Sequence, residues 1–301
     1  MKIVSLLPSA TELAAELGLT DWLCAVSHEC DTPAGVTSLP HATGSIIPHG
    51  LSQAEINRCV ADAVKEGRSL YTVDAALLDE IAPDLILTQG LCDVCAVTPE
   101  TIEASLRGVA CTLPRGTRIL SFSGESLEGI RRDFFALAEA VDRVAQAEHV
   151  WAERKDRWDT LAMARSEKRV LLLEWVDPPY SPGHWVPEQI EAAGLVSALG
   201  APGDHSRPLS AEEIRAAKPD AIGVISCGFG LEDNIRFARD LAQRFSEDLK
   251  FDGELAAFDA NRCFSRPTFA VVDGAEVLHR TFIEGEPVEG LSVFVRPGQD
   301  G

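Results

Sequence analysis

Basic charge is scarce in this sequence: 27 Lys and Arg stand against 47 Asp and Glu, a formal net charge of −20. A chain so acidic repels phosphate backbones and anionic headgroups, which argues against nucleic acid or a charged membrane surface as a partner. Long apolar runs are missing too. No stretch approaches the roughly 20 residues that a spanning helix needs, so no membrane insertion is expected. The first strand, Lys2-Ile3-Val4-Ser5-Leu6-Leu7, starts directly after Met1, with no basic segment and separate apolar segment before it and no lipoprotein cysteine. As written, the chain is expected to stay in the cytoplasm, where its eight cysteines would be reduced thiols or metal ligands rather than disulfides. Also absent are a glycine-rich phosphate loop, a G-x-S-x-G elbow and an H-E-x-x-H helix. No catalytic set assembles from the sequence, and the expectation is a protein that is not an enzyme.

What is present is a long charged helix between two runs of alternating strand and helix. Val144, Trp151 and Trp158 recur every seven residues, with Ala147, Val150, Leu161 and Ala162 between them, an apolar stripe at helical spacing. Ser126 is placed to cap a first helix to about Ala140, and Asp142 to cap a second from Arg143 to Arg165. At 1.5 Å per residue the second would span roughly 35 Å, a strut between lobes. The division that follows is 1–125 as an N-terminal α/β lobe, 126–167 as linking helices, 168–290 as a C-terminal α/β lobe and 291–301 as a flexible tail. The fold class is α/β, with two Rossmann-like lobes, a long backbone helix and a ligand cleft between the lobes.

Local signals place the elements within each lobe. Ser52 with Glu55 and Ser210 with Glu213 are capping boxes, and Asp74 can cap Ala75–Ile81. The polar stretch from Ser38 to Gly50 reads as a loop. Residues 78–86 and 214–222 echo one another in kind: helix, Pro-Asp turn, then a buried strand ending at a cysteine-bearing loop. The echo suggests two lobes of similar build.

Ligands of parallel sheets bind outside the carboxyl ends of the strands, so the residues just after each strand are the candidates. They are His28, Glu29, Cys30 and Asp31; Cys92 and Cys95; Tyr180, His184 and Trp185; and Cys227 with Phe229. Glu174 joins them because it interrupts an apolar strand, where an unpaired carboxylate is costly; it lies either in the cleft or in a local hydrogen bond. Cys24, Cys59 and Cys111 sit in apolar runs and read as packing. Cys92-x-x-Cys95 with Cys30, and with Cys227 as a further ligand, could hold zinc or an iron–sulfur cluster, and this is the alternative function, a metalloprotein or redox enzyme. Reduced loop thiols with no ligand remain equally open.

Several segments together resemble a known family. These are I-V-S-L-L-P-S-A-T-E-L-A-A-E-L-G-L from Ile3, V-S-H-E-C-D-T-P from Val26 and L-x-x-x-I-A-P-D-L-I-L from Leu77. In the second half they are D-P-P-Y-S-P-G-H-W-V-P-E-Q-I-E-A-A-G from Asp177, K-P-D-A-I from Lys218 and F-S-R-P-T-F-A-V-V-D-G from Phe264. The chain is similar to the helical-backbone (class III) substrate-binding proteins of ABC importers, with cobalamin-binding proteins the nearest likeness. The missing export signal and the added thiols mark it as a subgroup. The resemblance implies a monomer that binds cobalamin or a related corrinoid, or another small metal chelate, and works with an ABC permease. It implies contacts from the Pro8-Ser9-Ala10 turn, the His28–Asp31 loop, Tyr180, His205-Ser206, and Asp259 with Arg266.

Overall fold

A computed structural model of the chain describes residues 1–48, 50–66, 68–89, 116–248 and 251–295. It divides into two compact units, Met1–Gly124 with Glu128–Val150, and Glu125–Leu127 with Trp151–Gly301. Among the described residues no helix is long and apolar enough to cross a membrane. The helix expected from Thr98 and the strand expected near Val109–Leu113 lie outside the described residues.

The first unit runs β1 (Ile3–Ser5), α1 (Pro8–Glu16), β2 (Leu23–Ala25), β3 (Thr43–Ser45), α2 (Gln53–Glu66), β4 (Tyr71–Val73), α3 (Ala75–Ile81), β5 (Leu85–Gln89) and β6 (Arg118–Phe122). Its sheet has the order β2-β1-β5-β6, every pair parallel. Val4, Leu6, Ala25, Leu78 and Ile86 pack as one apolar cluster. The Ser38–Gly50 stretch is not all loop, because β3 pairs antiparallel with β4, Thr43 opposite Val73. A three-residue strand carries too little alternation to announce itself; its partner lies almost thirty residues on.

Two helices follow, α4 (Leu127–Ala140) and α5 (Val144–Leu161). Their junction differs from the expected N-cap. Asp142 has φ 57°, and Arg143 N–H bonds back to the Ala138 carbonyl at 2.8 Å. That is the left-handed closure of the helix before it. Helix α5 starts in the first unit, where Gln146 Nε2 donates to the Glu16 carbonyl at 3.1 Å. It ends in the second, where Arg157 pairs with both Asp273 and Glu276 at 2.6 Å. Its heptad stripe is unevenly covered: Trp158 is buried, whereas Val144 is 38% exposed.

The second unit continues with β7 (Arg169–Leu173), β8 (Trp175–Val176), β9 (Pro179–Tyr180), α6 (Val186–Ala192), β10 (Val196–Ser197), α7 (Ala211–Ala217), β11 (Ala221–Val224), α8 (Leu231–Asp248), β12 (Glu254–Phe258), α9 (Ala260–Cys263), α10 (Ala270–His279) and β13 (Ser292–Phe294). Its sheet order is β10-β7-β11-β12-β13, parallel except for β13. β13 corrects the expected tail: Ser292–Phe294 is an edge strand whose Val293 lies opposite Ala257. β7 is buried almost throughout, as a central parallel strand must be.

The internal echo has a structural cause. Ala82 and Lys218 end their helices at φ 50° and 47°. Asp84 Oδ2 then accepts the Lys2 N–H at 2.7 Å, and Asp220 Oδ2 accepts the Arg169 N–H at 2.8 Å. The Asp84 carbonyl accepts from Arg118 N–H and the Asp220 carbonyl from Glu254 N–H, at 3.0 and 3.1 Å. Each aspartate thus stitches the starts of three neighbouring strands with the same bonds.

Candidate functional site

In each sheet the strand order reverses at the first strand. β1 lies between β2 and β5, and β7 lies between β10 and β11. The crevice at the carboxyl end of such a switch point is where open α/β sheets bind ligands.

In the first unit, β1 leads into α1, and Ser9 and Ala10 of its first turn are buried. The loop after β2 is organised by hydroxyl groups. Thr43 donates its proton to Ser27 Oγ at 3.1 Å and accepts the His28 backbone N–H at 3.1 Å. His28 Nδ1 lies 2.7 Å from the same Thr43 Oγ1. Glu29 and Asp31 are exposed.

Cys30 is buried, with Sγ 3.1 Å from Thr11 Oγ1. Thr11 Oγ1 also bonds Ser5 Oγ at 2.8 Å and the Leu7 carbonyl at 3.3 Å. Cys227 is exposed and belongs to the second unit. Cys92, Cys95 and Cys111 lie outside the described residues, as does His49. Among the described residues no group of three or more His, Cys, Asp or Glu is placed to hold a metal. Cys24 and Cys59, expected in the core, are only half-buried.

In the second unit, Glu174 follows β7 and Trp175 pairs with Tyr180 across β8 and β9. Gly183 N–H donates to Glu174 Oε1 at 2.8 Å, and the Ser206 hydroxyl bonds the same carboxyl group. The carboxyl is thus used by the fold rather than turned to solvent. Burial pushes it up to about 7, against the smaller opposing effect of those two bonds. Trp175 lies 5.8 Å from Phe229, ring centre to ring centre, and Phe229 meets Phe237 edge-on at 5.0 Å.

His184 stands at φ 52°, stacked 5.8 Å from Trp185 and edge-on 5.1 Å from His205. Burial lowers its pKa first, and His205 adds to the effect while Glu125 opposes it. Trp185 departs from expectation: it is 7% exposed and donates Nε1–H to the Phe264 carbonyl at 2.8 Å, so it anchors the core. His205 is exposed. Asp259 caps α9, its Oδ1 accepting Arg262 N–H at 3.0 Å, and Arg266 lies half-buried on the segment beyond.

One organising residue was not foreseen. Asn234 is wholly buried; its Oδ1 accepts Ser226 N–H at 2.9 Å, and its Nδ2 donates to the Phe258 carbonyl at 2.9 Å and to Phe229 O at 3.3 Å. It ties the carboxyl ends of β11 and β12 together. The signal was a polar residue on the apolar face formed by Leu231, Ile235, Ala238 and Leu241. A cavity of about 430 Å³, lined by Trp158, Arg165, Glu188 and Val196 among others, lies elsewhere in this unit. Val196 pairs with Arg169, the first residue of β7, so this cavity opens at the amino ends of the strands, away from the switch point.

No protein-family model matches the chain, and no curated protein does either. Solved structures do. A periplasmic heme-binding protein from Pseudomonas aeruginosa superposes with a TM-score of 0.67 at 16% identity, covering 99% of this chain and 99% of that one. The periplasmic vitamin B12-binding protein of Vibrio cholerae gives 0.57 at 20% identity, over 92% and 94% of the two chains. An ABC transporter substrate-binding protein from Listeria monocytogenes gives 0.65 at 15% identity, over 94% and 98%. At these identities the likeness establishes the fold, the α/β architecture of periplasmic solute-binding proteins.

Proposed function

We propose that this protein is a non-enzymatic binding protein for a corrinoid of the cobalamin type, and that an ABC permease is its partner. One observation carries the reading. At the carboxyl ends of β7 and β11, Trp175, Tyr180 and Phe229 gather beside polar groups that the fold already uses, with Trp175 and Phe229 5.8 Å apart. Aromatic surface with few, fixed polar groups suits a broad, mostly apolar macrocycle. The structural likeness to heme- and vitamin B12-binding proteins supports a ligand of that general class.

The test is an equilibrium titration of the purified chain with cyanocobalamin, and separately with haemin. Saturable one-to-one binding of cyanocobalamin is expected, weakened about tenfold or more by Tyr180→Ala, equivalent to about 1.4 kcal/mol. His28→Ala asks the same of the first unit's loop. Saturable binding of haemin alone would replace the corrinoid with a tetrapyrrole. No saturable binding of either would overturn the reading.

A further inference from the structure

The cavity at the amino ends of the second unit's strands holds polar groups that the fold does not use. It measures about 430 Å³, within the roughly 300–1,000 Å³ that small-molecule sites occupy. Two of the segments lining it are fixed against each other. Ser166 N–H donates to the Gly194 carbonyl at 2.7 Å, and Val196 N–H donates to the Lys168 carbonyl at 3.0 Å. A Cβ on Gly194, which has φ 81°, would stand 2.7 Å from the Ala164 oxygen. The segment after α5 and the start of β10 thus approach as closely as glycine permits, and the cavity is formed in advance.

Three donors on its lining are uncommitted. Trp158 is 8% exposed, and its indole N–H meets no acceptor among the described residues; a buried indole N–H ordinarily has one. Ser166 Oγ accepts the Lys168 N–H at 3.1 Å, which leaves its own proton without an acceptor among the described residues. The exposed Arg165 guanidinium donates only to the Ala164 carbonyl, at 3.2 Å, and has no ion-pair partner among the described residues. A guanidinium beside two further donors suits a carboxylate.

The same cavity carries carboxylates one turn apart on α6. Glu188 Oε2 accepts the Leu127 N–H at 2.8 Å, whereas the exposed Glu191 carboxylate has no partner among the described residues. Arg165 and Glu191 line one cavity without pairing with each other. Two acids near the guanidinium disfavour a dianion such as phosphate and favour a ligand that brings a positive charge of its own. The indole of Trp158, Leu195 and Val196 add apolar surface.

We propose that this cavity is a second binding site, and that its ligand is an apolar α-amino acid. Arg165, Ser166 and the Trp158 N–H recognise its carboxylate, Glu191 its ammonium group, and Leu195 and Val196 its side chain. The site needs neither a corrinoid nor any residue at the switch point, so it stands or falls separately from the function proposed above.

Isothermal titration calorimetry of the whole chain at neutral pH tests this with L-leucine and two analogues that each lack one charge. Leucinamide has no carboxylate and 4-methylpentanoate has no ammonium group. Saturable one-to-one binding of L-leucine is expected, with each analogue weaker by about tenfold or more. Arg165→Gln and Glu191→Gln change exposed side chains that the fold does not use, and each should weaken L-leucine by about tenfold or more. Glu191→Gln should also narrow the gap between L-leucine and 4-methylpentanoate. Trp158→Phe keeps an aromatic ring and removes the N–H, and it too should weaken L-leucine, with urea unfolding as the check that the variant is folded. No saturable binding of L-leucine, or binding unmoved by Arg165→Gln or by Glu191→Gln, would overturn the site. Inorganic phosphate or 4-methylpentanoate bound as tightly as L-leucine would overturn the ligand class.

Discussion

Replacing Asn234 with leucine puts the packing of the second unit to a quantitative test. Leucine is close in size, so the change removes polar atoms with little change in volume. It takes the acceptor from Ser226 N–H and the donor from the Phe258 carbonyl, both bonds of 2.9 Å at a site with no solvent exposure. Each buried group left without a partner costs about 1–3 kcal/mol. The Phe229 carbonyl loses less, because Asn261 N–H still donates to it at 3.3 Å. Added apolar burial gives back about 1 kcal/mol, leaving a net loss of about 3 kcal/mol. Against a typical total of about 5–15 kcal/mol that is a large share. Urea unfolding followed by tryptophan fluorescence suits the question, because four of the five tryptophans, Trp151, Trp158, Trp175 and Trp185, belong to the second unit. Asn234→Asp supplies a signature that packing alone does not predict. Protonated, it can still donate to Phe258 O; ionised, it sets a buried charge against that carbonyl. Burial raises its pKa above the unfolded value, so its destabilisation relative to wild type should grow as pH rises through and beyond the carboxylate range. A leucine variant within about 0.5 kcal/mol of wild type, or an aspartate variant with no extra pH dependence, would refute the reasoning.

Gly183→Ala should cost about 1–3 kcal/mol and weaken ligand binding, since its Cβ would meet backbone at Ser206 N and Asp204 O rather than a movable side chain; unchanged urea unfolding would count against it. Alkylation mapped by peptide mass spectrometry should modify Cys227 in the folded protein and spare Cys30 and Cys263, the first buried and hydrogen-bonded and the second pushed by burial up to about 12. Equal rates at the three thiols would contradict the burial assigned to them. Glu213 is held down to about 2, first by the Ser210 N–H and then by Arg207 and the Ser210 hydroxyl. Its contribution is present above the ordinary value of 4.5 and disappears as pH falls toward 2. The stability difference between wild type and Glu213→Gln should therefore shrink over that interval, and a constant difference would show that the carboxylate charge is not involved.

The capping box Ser210–Glu213 and the Asp74 cap were legible because donor and acceptor lie within one helical turn. The Pro-Asp echo was legible as a pattern, but its purpose was not. The bonds from Asp84 to Lys2 and from Asp220 to Arg169 cross 82 and 51 residues. The candidate site divides in the same way. Strand ends pointed to His28, Glu174, Tyr180 and Phe229, but not to the long-range contacts that Trp185 and Cys30 make. A tryptophan after a strand looks like a ligand face until the Phe264 carbonyl, 79 residues on, is found to hold its N–H. The Cys30 sulfur likewise lies 3.1 Å from the Thr11 hydroxyl on another element.

By itself the sequence determined the periodic elements: the two helices from Leu127 to Leu161, the buried strands and the residue types gathered at their carboxyl ends. These depend on spacing along the chain, through helical turns, pleat and local capping. Only the tertiary structure decided what surrounds those residues. The Glu174 carboxyl is met by Gly183 N–H, the His28 ring by the Thr43 hydroxyl and the Cys30 sulfur by the Thr11 hydroxyl. Those partners lie outside the helical turn or strand that each residue belongs to, so no local spacing rule brings them together.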